Sequence, residues 1–184
     1  QLPGASVQPA IARVYPLGAA AAHVTGHVST VTAEQLAADP DLLGSIVSAV
    51  GNCLQMCDAK ADCVGISTVP NREPGRVTGL IGVHGDVSGF VTVNMAETVA
   101  CSAVGGLLQE RFDKIGPQVI DGVGEMTNII AGGIKSKLLG TRWGFRHVTV
   151  PSVILGNNYQ IAYAAGLEFL SVVFEQKNAE AFVL

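Results

Sequence analysis

The chain has 184 residues, of which 48% are hydrophobic and 14% charged, with a mean hydropathy of +0.40. That length supports one domain with its own core, and the composition is too apolar for wholesale disorder. The 11 Lys and Arg against 15 Asp and Glu leave a net charge of −4, which argues against a general nucleic-acid binder, whose contact face must be basic.

Residues 1–39 are rich in Ala, Gly and Pro and lack clear periodicity, so they read as an N-terminal arm or linker. Thr32 and Gln35 fit a capping box for a short turn within it. The domain is expected over 40–184. Asp39 followed by Pro40 is a favoured helix start. Leu43, Ile46, Val47, Val50, Leu54 and Cys57 then follow helical spacing to about residue 57. Strands are expected at 63–69, 76–83 and 88–95, the last two joined by a hairpin turn at His84–Val87. Asn94 with Glu97 suits the cap of a helix over about 95–108, and a long helix follows over about 115–139. The chain closes with strands at 145–155, 159–164, 168–174 and 180–184. Strands joined by short turns imply antiparallel pairing, so the expected class is α+β, an antiparallel sheet with two long helices. Asn52 and Asn128, each on a helix followed by strands, hint at pseudo-symmetry.

No charge-free run reads as a membrane span. Residues 42–57 are too short, and 148–167 are interrupted by Pro151, Gly156, Asn157, Asn158 and Gln160. No signal-peptide pattern is present. Cys53, Cys57 and Cys63 lack the spacing of a metal site and read best as small buried hydrophobes, so no metal is assigned.

Residues 117–139 carry the chemistry. At 100° per residue, Ile120, Val123, Ile130, Ile134 and Leu138 share one face, while Asp121, Glu125, Asn128, Gly132 and Lys135 form a narrow stripe on the other. An exposed Glu-x-x-Asn is ordinary by itself. Gly132 and Gly133 are not, since a mid-helix glycine costs about 1 kcal/mol relative to Ala. Something is expected to approach closely there.

The stretch Gly124-Glu125-Met126-Thr127-Asn128-Ile129-Ile130-Ala131-Gly132-Gly133-Ile134-Lys135-Ser136-Lys137-Leu138 resembles the signature helix of the CheX family, which is grouped with CheC and FliY as chemotaxis phosphatases. GLIGVHGDVSGFVTVNM upstream resembles the family's hairpin before the middle helix, and HVTVPSVILGNNYQI downstream resembles its following strand, so the likeness covers about 40–184. It implies a cytoplasmic protein phosphatase that hydrolyses the aspartyl phosphate of a CheY-like response regulator receiver. Asn128 would position the attacking water, a role like that of glutamine in GTPases. Glu125 would dock on the receiver's lysine. A general-base role for Glu125 is the weaker rival, because pairing with lysine keeps a carboxylate acidic. Gly132 would admit the partner's loop, Lys135 would meet its acidic pocket, and Asp121 would extend the partner-facing stripe. The plain reading of Asp121 is a solvated helix face, and that of Lys135 a charge suited to a helix C-terminus. No cofactor is expected in this chain, the Mg2+ belonging to the receiver.

The chain departs from the CheC pattern of two Glu-x-x-Asn motifs. Ala49 stands where the first glutamate would be, ahead of Asn52, and Met56 replaces a later small residue. One active helix is the CheX pattern, and that subgroup's dimeric state implies a homodimer. Alternative functions are a non-catalytic receiver-binding or oligomerising module of the same fold, and a small-ligand sensor. His84 and His147 read as surface residues. Trp143 between Arg142 and Arg146 raises a phosphate or nucleic-acid patch, though three loop residues make a narrow basic surface.

Overall fold

In a computed structural model that describes residues 22–27, 39–67, 76–156 and 169–176, the elements run β1 (Ala22–His27), α1 (Pro40–Met56), β2 (Ala61–Ser67), β3 (Arg76–Gly85), β4 (Gly89–Ala96), α2 (Glu97–Leu108), α3 (Pro117–Leu138), β5 (Phe145–Val148), β6 (Ser152–Gly156) and β7 (Phe169–Gln176). The strands form one antiparallel sheet in the order β2-β7-β1-β4-β3-β5, with β6 pairing the far part of β3. This is the α+β class expected, with a shorter third helix beside the two long ones.

The helices share one face of the sheet. Alternation along the strands sends Val77, Ile81 and Val83 of β3, Val91, Val93 and Met95 of β4, and Leu170, Val172 and Phe174 of β7 into a single core. α1, α2 and α3 close that core with Ile46, Val50, Leu54, Val104, Val123 and Ile130 among others. On the opposite face Thr78, Thr92 and Ser171 are also buried.

Four expectations change. Residues 22–27 lie inside the stretch read as an arm, yet they form β1, paired with β7 on one side and β4 on the other. A segment AHVTGH has too few strong strand formers to announce a strand. Two flanking ladders supply what its composition lacks. The run 145–155 is two strands, broken at Thr149–Pro151, because a proline donates nothing to a ladder. β3 continues to Gly85, so the hairpin turns at Asp86–Ser88 rather than His84–Val87. Asn94 caps nothing. It lies in β4, where its side-chain oxygen accepts from the Thr78 hydroxyl at 2.6 Å, and α2 starts after Ala96 with no side-chain cap. The turn at 32–35 and the strands expected at 159–164 and 180–184 lie outside the described residues.

Candidate functional site

α3 begins weakly, with Gly116 at the N-cap and Pro117 in the first turn but no capping side chain. Packing holds it instead. Val119, Val123, Met126, Ile130, Ile134 and Leu138 are buried, and of the five residues expected inward only Ile120 is half-buried. Thr127 is fully buried, its hydroxyl donating to the Val123 carbonyl at 2.7 Å, directly over Gly79 of β3.

Two flanks bound the outward side of α3. On one, α1 packs closely. The Cys53 thiol reaches the Met126 carbonyl at 3.8 Å, and a Cβ on Gly133 would come 2.9 Å from that of Ala49. On the other, a Cβ on Gly124 would lie 3.8 Å from Pro151 Cγ and from Val153 Cγ2. Between the flanks run all five residues singled out from sequence. Asp121 and Glu125 are exposed, and Asn128, Gly132 and Lys135 are half-buried. Helical geometry turns Asn128 toward the Gly124 and Pro151 side, and Glu125 toward α1. Among the described residues, Asp121, Glu125, Asn128 and Lys135 make no side-chain hydrogen bond or ion pair. The Cys53 thiol is held far above its ordinary pKa, first by its hydrogen bond with Cys57, then by burial, and lastly by the Cys57 and Glu125 charges.

Among the described residues the stripe is therefore an outward helix face on which a carboxylate and a carboxamide have no partner. An open depression of about 640 Å³ lies elsewhere, between α2 and the loop after it, lined by Glu97, Cys101, Glu110, Arg111 and Lys114 among others, and it includes no stripe residue. Among the described residues no group of three or more His, Cys, Asp or Glu could hold a metal ion. Cys53, Cys57 and Cys101 are buried free thiols, whereas Cys63, expected to be buried, is exposed on β2, an edge strand with a shifted register at Cys63–Gly65. No described helix is long and apolar enough to cross a membrane.

The residues around Trp143 have internal work. Trp143 is 1% exposed, and the Arg142 guanidinium sits 4.6 Å over its ring while pairing with Asp39. Asp39 also caps α1, accepting from the amides of Asp41 and Leu42 at 3.1 Å. The buried Trp143 Nε1–H lies near the same carboxylate without reaching ordinary hydrogen-bond geometry. Burial works against the Asp39 charge, but the Trp143 N–H, Arg142 and the Leu42 amide outweigh it and hold its pKa below the usual value. Arg146 pairs with Asp86 at 3.2 Å. The two arginines thus each pair with one of the chain's own carboxylates. His84 and His147 are exposed and face each other across β3 and β5. Sequence reasoning gave Asp39 only its cap, because its second partner lies 103 residues away.

Comparison with known proteins fits this geometry. The family model of the chemotaxis phosphatase CheX matches residues 77–175, more than half of the chain. A model of the penicillin-binding protein dimerisation domain matches residues 1–52, a stretch that includes β1 and most of α1, both integral to the present sheet and helix pair. No curated protein matches the chain. Among solved structures, a CheC-like superfamily protein from Shewanella sp. PV-4 is 25% identical, with a TM-score of 0.61 over 74% of this chain and 99% of that one. The chemotaxis protein CheX of Vibrio vulnificus is 24% identical, with a TM-score of 0.60 over 73% and 99%. A CheX from Borrelia burgdorferi, solved as a CheX-CheY-BeF3-Mg2+ complex, is 19% identical, with a TM-score of 0.55 over 75% and 96%.

Proposed function

This chain belongs to the CheX family, and on that premise we propose that it is a phosphatase for the aspartyl phosphate of a CheY-like receiver. Asn128 positions the attacking water, and Glu125 docks on the receiver's lysine. The observation that carries the reading is the pair itself. A carboxylate and a carboxamide stand one helical turn apart on an outward face, and neither has a partner among the described residues. The Borrelia relative solved with CheY and Mg2+ supports a receiver as the partner.

Hydrolysis of an aspartyl phosphate needs in-line attack by water, and catalysis is mostly positioning and electrostatics. Asn128 suits the positioning role. Its carboxamide both donates and accepts, and its half-buried side chain beside the Gly124 flank has less freedom to lose than a fully exposed one. Glu125 is exposed and so open to an ion pair with the receiver's lysine, a role that suits a carboxylate better than that of base once paired. Asp121 and Lys135 extend the contact, and Gly132 leaves the helix backbone open to the partner. We assign the Mg2+ to the receiver and no cofactor to this chain. We further infer a homodimer joined at a sheet edge, which sedimentation equilibrium tests.

The test is phosphate release from phosphorylated receivers of the same organism. Asn128→Ala is expected to reduce the acceleration about 100- to 1000-fold, equivalent to roughly 3–4 kcal/mol, with the fold unchanged by circular dichroism. Glu125→Ala is expected to weaken complex formation. Acceleration retained in Asn128→Ala overturns the water-positioning role. Binding without acceleration by the wild type makes this a docking module.

A further inference from the structure

The Asn128 side of α3 is bounded by a break in the sheet edge, and the break is built by specific residues. β5 pairs with β3 through Val83–Gly85, and β6 through Arg76–Leu80. Between them the chain leaves the ladder at Thr149, Val150 and Pro151. Thr149 satisfies β3 at the gap. Its amide donates to the Gly82 carbonyl at 2.9 Å, and its hydroxyl accepts from the Gly82 amide at 2.9 Å. A Cβ on Gly82 would come 2.9 Å from Thr149 Cγ2, so the glycine makes room for this arrangement. Pro151 then brings the chain back beside Gly124 of α3. Val150, between these two anchors, is 84% exposed, more than any other large hydrophobic residue among the described ones. Interruptions of this kind at sheet edges re-aim side chains and recur beside functional sites.

We propose that Val150 is a docking residue for the same receiver, an apolar contact that sets affinity rather than rate. The inference rests on the reading of α3 as the receiver-binding helix. Gly124 and Asn128 are one turn apart on one side of α3, and Pro151 flanks that side. A partner that brings its phosphoryl group to Asn128 is therefore seated beside the segment Thr149–Pro151, which holds Val150. The chemistry is complementary to that of the stripe. Asp121, Glu125, Asn128 and Lys135 orient a partner but bury little apolar surface, which is the term that favours association most generally. Val64 is a natural control, being 52% exposed but placed on β2 at the opposite sheet edge.

The experiment measures phosphate release from the CheY-like receiver of the same organism, phosphorylated with acetyl phosphate, together with receiver binding and sedimentation. Wild type is compared with Val150→Asp, Val150→Ile and Val64→Asp. Val150→Asp is expected to raise KM and Kd about tenfold, the loss typical of one apolar interface anchor, with kcat kept. Val150→Ile is expected to retain wild-type KM, and Val64→Asp to keep the wild-type KM, kcat and Kd for the receiver. An active wild type whose KM and Kd are indifferent to Val150→Asp overturns the inference alone. So does a fall in kcat without a change in KM, or a change only in sedimentation, which would give Val150 to a second copy of the chain. A wild type that neither accelerates release nor binds overturns the receiver reading, and this inference with it.

Discussion

α1 and α3 lie side by side, and each presents an asparagine outward. Asn52 on α1 is exposed and Asn128 on α3 is half-buried. The positions three residues earlier differ in kind. Glu125 stands in solvent, whereas Ala49 is 3% exposed and sits against Gly133. α1 is turned so that position 49 faces the helix crossing rather than the water. The first Glu-x-x-Asn site is thus missing for more than want of a glutamate. A carboxylate at 49 would enter the core, and the close crossing that excludes it is the same contact that seats α3. The two adjacent glycines of α3 make the same point. Gly133 is required by Ala49, while a Cβ on Gly132 would meet nothing within 4 Å. One glycine serves the fold, and the other is the one that the proposed function assigns to the receiver.

The sharpest way to break the comparison is Ala49→Glu. If α1 could carry a second site, the variant would fold and gain activity. The expected outcome is a loss of about 3–5 kcal/mol in urea unfolding, the cost of a buried unpaired charge, with no added phosphate release. Gly133→Ala comes next. Its new methyl must push Ala49 away, and a loss of about 1–3 kcal/mol is expected, as for other overpacked core sites. Asp39→Ala tests the lock that joins the start of α1 to the loop after α3. It removes a cap and the partner of Arg142 together, and about 1–2 kcal/mol should be lost. The same carboxylate gives a pH signature. Its pKa is lowered in the folded state, so its contribution is complete above the unfolded value of about 4 and is lost as pH falls through the lower folded value. Asp39→Ala should therefore narrow its stability gap to the wild type in acid. The smallest effect has the opposite sign. Gly132→Ala should stabilise the fold by up to about 1 kcal/mol through helix propensity, while weakening receiver binding. A Gly132→Ala protein that binds as well as the wild type would remove the case for close approach at that position.

Much of this molecule is local in origin. The cap at Asp39, the hydrophobic period of α1 and α3, the β3–β4 hairpin and the outward stripe from Asp121 to Lys135 all follow from spacing along the chain. That is because helix and strand periodicities are set by backbone geometry and need no distant partner. The stripe could be read before any packing was known, since apolar neighbours at fixed angles leave only one face for water. Tertiary structure decided the rest. β1 exists because β7 and β4 offer it two ladders. The edge strand breaks where Thr149 and Gly82 fit together. Asp39 gains its ion pair from a residue in a distant loop, and position 49 is buried because another helix crosses there. Each of these depends on which segments meet, and such meetings are settled by the whole core closing at once.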